Sequence, residues 1–199
     1  MEDFKFTIIT ISLNSEEYIK NTIESVLEQT YNNIEFIIKD GKSNDNTVNI
    51  AKKYKNWTNK NMKIISSKDD GIYDAMNKGL EYATGDIISF LNSDDLFANK
   101  TVIEKVAHIF KNNKDCDACF GNISIVYRNN INKIIRTWDS SNNDFLSKCK
   151  YGWVPAHPSF FAKKILYEKY GKFDLQFKLA ADFDLICRFI EKHNINLYY

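Results

Sequence analysis

The first half of the sequence alternates strand and helix signals, short β-branched runs with stretches of helical periodicity, without an internal sequence repeat. Strands are predicted at Phe6–Ile11, Ile34–Ile38, Met62–Ser66 and Ile87–Leu91. Between them, Ser15 followed by Glu16 and Glu17 reads as the cap of a helix with Ile19, Ile23, Val26 and Leu27 on one face. Thr47–Tyr54 and Ile72–Ala83 read as two more helices. Strands joined by helices of this length require right-handed βαβ crossovers, hence an α/β fold with a mostly parallel central sheet and helices on both faces.

The second half breaks the alternation. Asp117–Tyr127 and Ile131–Trp138 flank Arg128-Asn129-Asn130 as a hairpin, and a polar stretch runs from Asp139 to Asn143. An aromatic, proline-containing segment, YGWVPAHPSFF, follows, then a short helix near Lys163–Tyr170 and a helix from about Ala181 to His193. These imply a small antiparallel or mixed addition to the parallel sheet. The closing NINLYY reads as the start of another strand and fits a chain cut short. With 199 residues and 44% hydrophobic content the chain can bury one full core, so 1–199 is read as a single domain.

Charge narrows the function. Charged residues make up 27% of the chain but balance to +1, without the basic surplus of a nucleic-acid binder. The start, MEDFKFTIITISLN, lacks the basic and long apolar pattern of a signal peptide, and no run is long enough to span a bilayer. The expectation is a soluble, cytoplasmic protein. Cys116 and Cys119 form a C-x-x-C, but CDACFGNISIVY looks like one strand, which would put the two on opposite faces. Together with Cys149 and Cys187 they are read as ordinary reduced thiols.

In an open parallel sheet, ligands bind outside the carboxyl ends of the strands. Those ends deliver Ser12, Leu13 and Asn14; Asp40, Gly41, Ser43 and Asp45; Lys68, Asp69, Asp70 and Gly71; and Asn92, Ser93, Asp94 and Asp95. The last group lies in IISFLNSDDLF, where an apolar run stops at two adjacent carboxylates. Such a pair repels itself unless a cation neutralises it, and hard divalent cations prefer oxygen ligands. A divalent cation of this kind commonly bridges the phosphates of a nucleotide diphosphate. Neither a P-loop nor a G-x-G-x-x-G stands here to cradle phosphates in its place.

TIITISLN, IIKDGKSNDNT, DDGIYDAMNKGLEYATGD and ISFLNSDD, followed by AHPSFFAKK and FKLAADFDLICRF, resemble the family 2 glycosyltransferases of GT-A fold over nearly the whole chain. The DxGIYDAMNKG form resembles bacterial enzymes that build exopolysaccharide, capsule or O-antigen units. The resemblance implies a nucleotide-binding half, 1–97, and an acceptor-side half, 98–199. It implies that Asp40 meets the nucleobase with Ser12 and Asn14 nearby. Asp69, Gly71, Asn77 and Lys78 would lie along base, ribose and donor sugar, with Asn92 and Asp94 toward the ribose and sugar. Asp94 and Asp95, with His157, would hold Mn2+ or Mg2+, and Asp182 would be the catalytic base of an inverting transfer. The implied donor is a UDP-sugar and the implied acceptor a saccharide or lipid-linked saccharide, reached at the inner face of the membrane. Many members have Asp where this chain has Asn92, a neutral and weaker metal ligand.

Each residue also has a plainer reading. Asp40-Gly41 is good turn chemistry, Asp45 or Asn46 can cap the helix at Thr47, and Asp182 and Asp184 suit the first turn of a helix. His108 and His193 fit a helix surface. Lys148, Lys150, Lys163, Lys164, Lys169 and Lys172 interleave with aromatic residues, as on a snorkelling surface over a core or on a face docked to anionic lipid. The competing functions are a sugar nucleotidyltransferase, which would need a glycine- and arginine-rich loop where SLNSEEYIK stands, and an inactive nucleotide-sugar-binding domain.

Overall fold

Strands buried on both faces need apolar residues at almost every position. β1 (Phe6–Ser12), β2 (Ile34–Asp40) and β4 (Ile87–Phe90) meet that demand, and β2 and β4 are buried along their whole length. In the computed structural model, which describes residues 3–58, 60–128, 130–140, 149 and 151–199, they form the centre of a seven-stranded sheet. Its order is β3 (Asn61–Ser66), β2, β1, β4, β8 (Phe161–Lys163), β5 (Ala118–Cys119) and β9 (Leu197–Tyr198). Only β8 runs against the others. The order reverses direction at β1, with β2 on one side and β4 on the other, which makes the gap between β1 and β4 a topological switch point.

Helices cover both faces. α1 (Ile19–Leu27), α2 (Thr47–Trp57) and α4 (Val102–Asn112) bury Ile23, Ala51 and Val106 against Phe6, Ile8 and Phe36. On the other face α3 (Ile72–Glu81), α5 (Lys164–Tyr170) and α6 (Ala181–Cys187) bury Met76, Leu166 and Leu185 against Ile9, Ile37 and Ile88. α3 lies so close that a Cβ on Gly79 would sit 2.6 Å from Ile9 Cγ2.

Several expectations need correction. α1 starts at Ile19, because Ser15 O takes the N–H groups of Tyr18 and Ile19 in a turn and the Ser15 hydroxyl meets Ser93 instead of capping. The long strand expected over Asp117–Tyr127 is split: β5 stays in the main sheet, while β6 (Ile123–Tyr127) pairs with β7 (Asn130–Trp138) in a separate ribbon. Cys116 therefore precedes the strand, strand alternation does not govern it, and it shares one core face with Cys119. All four thiols are free, and burial pushes those of Cys116 and Cys187 up to about 12. YGWVPAHPSFF supplies the start of β8, which is short and runs straight into α5. The last helix is α6 followed by a π-helical turn, Arg188–Lys192. Residues 141–143 of the expected polar stretch, Lys148 and Lys150 lie outside the described residues. The remaining lysine and aromatic surface is largely satisfied within the fold. Phe160, Phe161 and Tyr167 are buried, while Lys163, Lys164 and Lys172 pair with Asp117, Glu168 and Glu81.

At the edge away from the strand carboxyl ends, Glu35 is fully buried. Burial alone would raise its pKa, but Lys63, the Thr84 N–H and the Thr7 and Thr84 hydroxyls all donate to it and hold it at about 2, against an ordinary 4.5. A depressed carboxyl stabilises the fold above its unfolded pKa and loses that contribution as pH falls from 4.5 toward 2. Glu35→Gln should cost about 3 kcal/mol at neutral pH and flatten the acid limb of stability, read by urea unfolding across pH. A loss below about 1 kcal/mol would mean that these donors are satisfied without the charge.

Candidate active site

The strand register assembles the first part of the site. Ser12, Asp40 and Ser66 are aligned across β1, β2 and β3, so two hydroxyls flank one carboxylate. Asp40 is fully buried and accepts from Ser66 Oγ (2.7 Å), Ser12 Oγ (3.4 Å), the N–H groups of Lys42 and Ser43 (both 3.0 Å) and the Ser43 hydroxyl. Its plain role as a turn anchor is thus real, and a base reaching it must share or displace these donors. Asn14, at a positive φ of 49°, locks the neighbouring loop: its N–H donates to Ser43 Oγ and its Oδ1 accepts from Asn44 N.

Lys39 was missed by sequence reasoning. It is fully buried, and its Nζ donates to Asp40 O (2.9 Å), Ser67 O (2.7 Å) and Asp69 Oδ2 (3.0 Å), which fixes the β2 and β3 loops together. A lysine inside the apolar run IIKD was the available signal, since a buried ammonium requires partners. Gly71 has φ of +118°, which demands glycine, and a Cβ there would meet nothing, so the start of α3 is open to an approaching ligand. Lys78 donates to Asp74 (2.7 Å) and Lys68 O (3.0 Å). Asn77, expected along the donor, has its side chain engaged within the fold. Its amide brackets the backbone of Phe173 through Nδ2 to O (2.9 Å) and N to Oδ1 (3.0 Å), joining α3 to the segment before α6. Asp45 Oδ1 accepts from Thr47 N, consistent with its capping role, and Asp184 pairs with Arg188.

The second part lies past the end of β4 and is one connected chain of polar groups. Asn92 Nδ2 donates to Asp95 Oδ2 (3.1 Å) and lies 3.3 Å from His157 Nε2. His157 Nδ1 is 3.1 Å from Asp182 Oδ2, and Tyr73 Oη donates to Asp182 Oδ1 (2.7 Å). The arrangement is consistent when His157 carries its proton on Nδ1 and offers the Nε2 lone pair to Asn92. Burial would raise the pKa of Asp182, but the hydrogen bonds from His157 and Tyr73 prevail and hold it at about 2; the same contact, with burial, lifts the Tyr73 phenol to about 12. Tyr73 is itself stacked on Phe173, 5.7 Å between ring centres. Its place in DDGIYDAMNKG was visible, but its partner lies 109 positions away.

Burial raises the Asp95 pKa and the Asp94 charge raises it further, while Asp94 itself is exposed. Asn92 Oδ1 is buried without a hydrogen-bond partner. Uncompensated like charge and an orphaned oxygen form a hard-oxygen donor set, which fits a divalent cation. Among the described residues no three His, Cys, Asp or Glu side chains converge into a ready-made metal cage. The expected trio of Asp94, Asp95 and His157 is therefore not preassembled. One or two carboxylates completed by substrate phosphates is the usual arrangement for Mg2+.

Known proteins similar to this chain bear on its family and fold. The PGL/p-HBAD biosynthesis glycosyltransferase of Mycobacterium bovis is 27% identical over 183 residues, covering 92% of this chain and 68% of the relative. UDP-Glc:alpha-D-GlcNAc-diphosphoundecaprenol beta-1,3-glucosyltransferase WfgD of Escherichia coli is 32% identical over 154 residues, covering 76% of this chain and 59% of the relative. Among solved structures, S. aureus TarS in complex with UDP has a TM-score of 0.74 at 22% identity, over 92% of this chain and 54% of that one. The mannosyltransferase PcManGT from Pyrobaculum calidifontis, in complex with GDP-Man and Mn2+, has a TM-score of 0.76 at 16% identity, over 100% of this chain and 55% of that one. The chain thus spans about half the length of these two solved proteins, and they share its fold. The sequence profile described as Glycosyl transferase family 2 matches residues 7–170, most of the chain, and this places the chain in glycosyl transferase family 2.

Proposed function

We propose that this chain transfers a hexosyl or N-acetylhexosaminyl group from a UDP-sugar to a hydroxyl of a saccharide or lipid-linked saccharide, with inversion at the anomeric carbon, in surface polysaccharide synthesis. The observation that carries the reading is the unbroken polar chain from Asp95 through Asn92 and His157 to Asp182, which links a cation-seeking carboxylate pair to a half-buried anion. The choice of donor and acceptor draws support from two similar proteins: TarS was solved in complex with UDP, and the E. coli relative is named for a UDP-Glc donor and a lipid-diphosphate acceptor.

In this mechanism the nucleotide lies along the ends of β1, β2 and β3. Ser12, Asn14 and Asp40 line the base, and Asp69, Gly71 and Lys78 the ribose and donor sugar, with Asn92 and Asp94 beside them. Asp182 takes the proton of the acceptor hydroxyl as its oxygen bonds to the anomeric carbon, and the bond from that carbon to the diphosphate breaks on the opposite side. Tyr73 and His157 orient Asp182 and keep it anionic. Asp94 and Asp95, with His157 within reach, would hold Mn2+ or Mg2+, which supplies Lewis acidity for the charge on the departing diphosphate.

A second reading has a specific observation behind it. Both Asp182 oxygens are engaged, whereas His157 Nε2 faces the cluster, so His157 can be the base and Asp182 its orienter. His157→Gln separates the two: transfer falls well short of the Asp182→Asn loss if Asp182 is the base and His157 only orients it, and falls as far as in Asp182→Asn if His157 is the base. Tyr73→Phe removes a donor that lowers the Asp182 pKa, so the acid limb of kcat/KM should move to higher pH. An unmoved limb would take Asp182 out of the proton transfer. The reading as a whole is tested by UDP release from UDP-Glc and UDP-GlcNAc with and without a lipid-diphosphate GlcNAc acceptor. Acceptor-dependent release supports transfer, and none with either donor would favour a binding domain without activity.

A further inference from the structure

The β6–β7 ribbon is the one two-stranded sheet among the described residues, and it stands apart from the main sheet. Its register pairs Ile123 with Trp138, Ile125 with Arg136 and Val126 with Ile134. Neighbouring positions on a strand face opposite ways, so apolar side chains emerge from both faces. They are not covered: Ile131, Ile134 and Ile135 are each more than half exposed, at 56%, 57% and 56%, with Ile125 at 45% and Tyr127 at 42%. A bare two-stranded ribbon is marginal in water, and a contiguous exposed apolar surface marks a contact site.

Charge identifies the occupant. From residue 118 to 138 there is no Asp or Glu, and the three charged residues, Arg128, Lys133 and Arg136, are all basic. Each lies over an aromatic ring: Arg128 4.7 Å from the Tyr18 centre, Lys133 4.6 Å from Tyr127 and Arg136 5.8 Å from Trp138. Cations held beside aromatic and aliphatic groups suit the boundary between anionic headgroups and acyl chains. A second copy of the chain suits the ribbon less well. Edge pairing would bring like charges together, and the irregularities between Ile125 and Tyr127 interrupt the edge.

We infer that the β6–β7 ribbon docks this protein on an anionic lipid bilayer. The Arg128–Tyr18 contact sets the ribbon's tip beside the start of α1, next to the loop that follows β1. Docking through it brings the carboxyl-end edge of the sheet to the bilayer surface. Such docking is a property separate from the transfer site and stands on the ribbon's own chemistry.

Sedimentation with vesicles of phosphatidylcholine alone, and of phosphatidylcholine mixed with phosphatidylglycerol, tests it at low and high salt. Binding is expected to the anionic vesicles only and to weaken with salt. Arg128→Gln/Lys133→Gln/Arg136→Gln should lower the partition coefficient about 100-fold, at roughly one order of magnitude or less per basic residue. Ile131→Ser/Ile134→Ser/Ile135→Ser should lower it at least about 10-fold. Thermal unfolding and UDP titration of both variants should match the parent, which keeps loss of fold distinct from loss of docking. Equal binding to both vesicle types, no binding to either, or full binding by both variants would overturn the inference. So would a dimer in light scattering that the isoleucine variant abolishes, which would assign the ribbon to a second copy. Failure of the parent to bind UDP would instead count against the reading of the site and leave the vesicle result standing.

Discussion

Asp182→Asn is expected to lower transfer about 1,000-fold while leaving UDP affinity within about twofold of the parent. The substitution keeps shape and keeps an acceptor for Tyr73 Oη, which now donates at 2.7 Å to Asp182 Oδ1. It also places an amide N–H where Asp182 Oδ2 faces His157 Nδ1 at 3.1 Å. Two donors cannot share that contact, so the imidazole must move its proton to Nε2, which then points an N–H at Asn92 Nδ2. The variant therefore removes the anion and reverses the His157 tautomer together, and the loss is expected whichever of the two residues takes the proton. His157→Gln then tells them apart. An Asp182→Asn variant that folds but loses UDP would move Asp182 from the reaction to the donor pocket.

The second large effect is at the carboxylate pair. Asp95→Asn should weaken UDP binding in the presence of Mn2+ on the order of 100-fold and leave the much weaker metal-free binding unchanged. The same change should stabilise the metal-free fold. Asp95 has a raised pKa, from burial and then from Asp94, so the native state holds its proton more tightly than the unfolded chain does. Stability contributed by such a group is lost as pH rises through its titration, and the metal-free protein at neutral pH carries that penalty. A neutral Asn removes it. A higher Tm together with lost metal-dependent affinity is the signature of a group kept for function at a cost in stability. Unchanged metal-dependent affinity would put the cation elsewhere.

The parallel half of the fold was legible because strands buried on both faces are written as continuous apolar runs, and β1 to β4 fell within two residues of their expected bounds. The switch point follows from their order, so the loops carrying Ser12, Asp40, Asp69 and Asp95 could be gathered in advance. What the sequence hid was set by contacts between distant positions. β8 is short and exists as a strand only because β4 and β5 offer edges on either side of it. The break between β5 and β6 left no proline or charge to announce it, only Gly121-Asn122 after an aromatic residue. Asn77 carries a motif position but is claimed by the Phe173 backbone, and Tyr73 gains its role from Asp182. Neither pairing has a local signal, because hydrogen bonds across such separations are fixed by packing.

The most direct measurement is calorimetric titration of the protein with UDP, GDP, CMP and ADP, each with and without Mn2+. Tight binding of UDP that requires the cation, with the other nucleotides much weaker, is the expected result and would tie the Asp94–Asp95 pair to a UDP-sugar donor. Equal UDP binding with and without the cation, or no binding of any of the four, would contradict a metal-held nucleotide diphosphate at the end of β4.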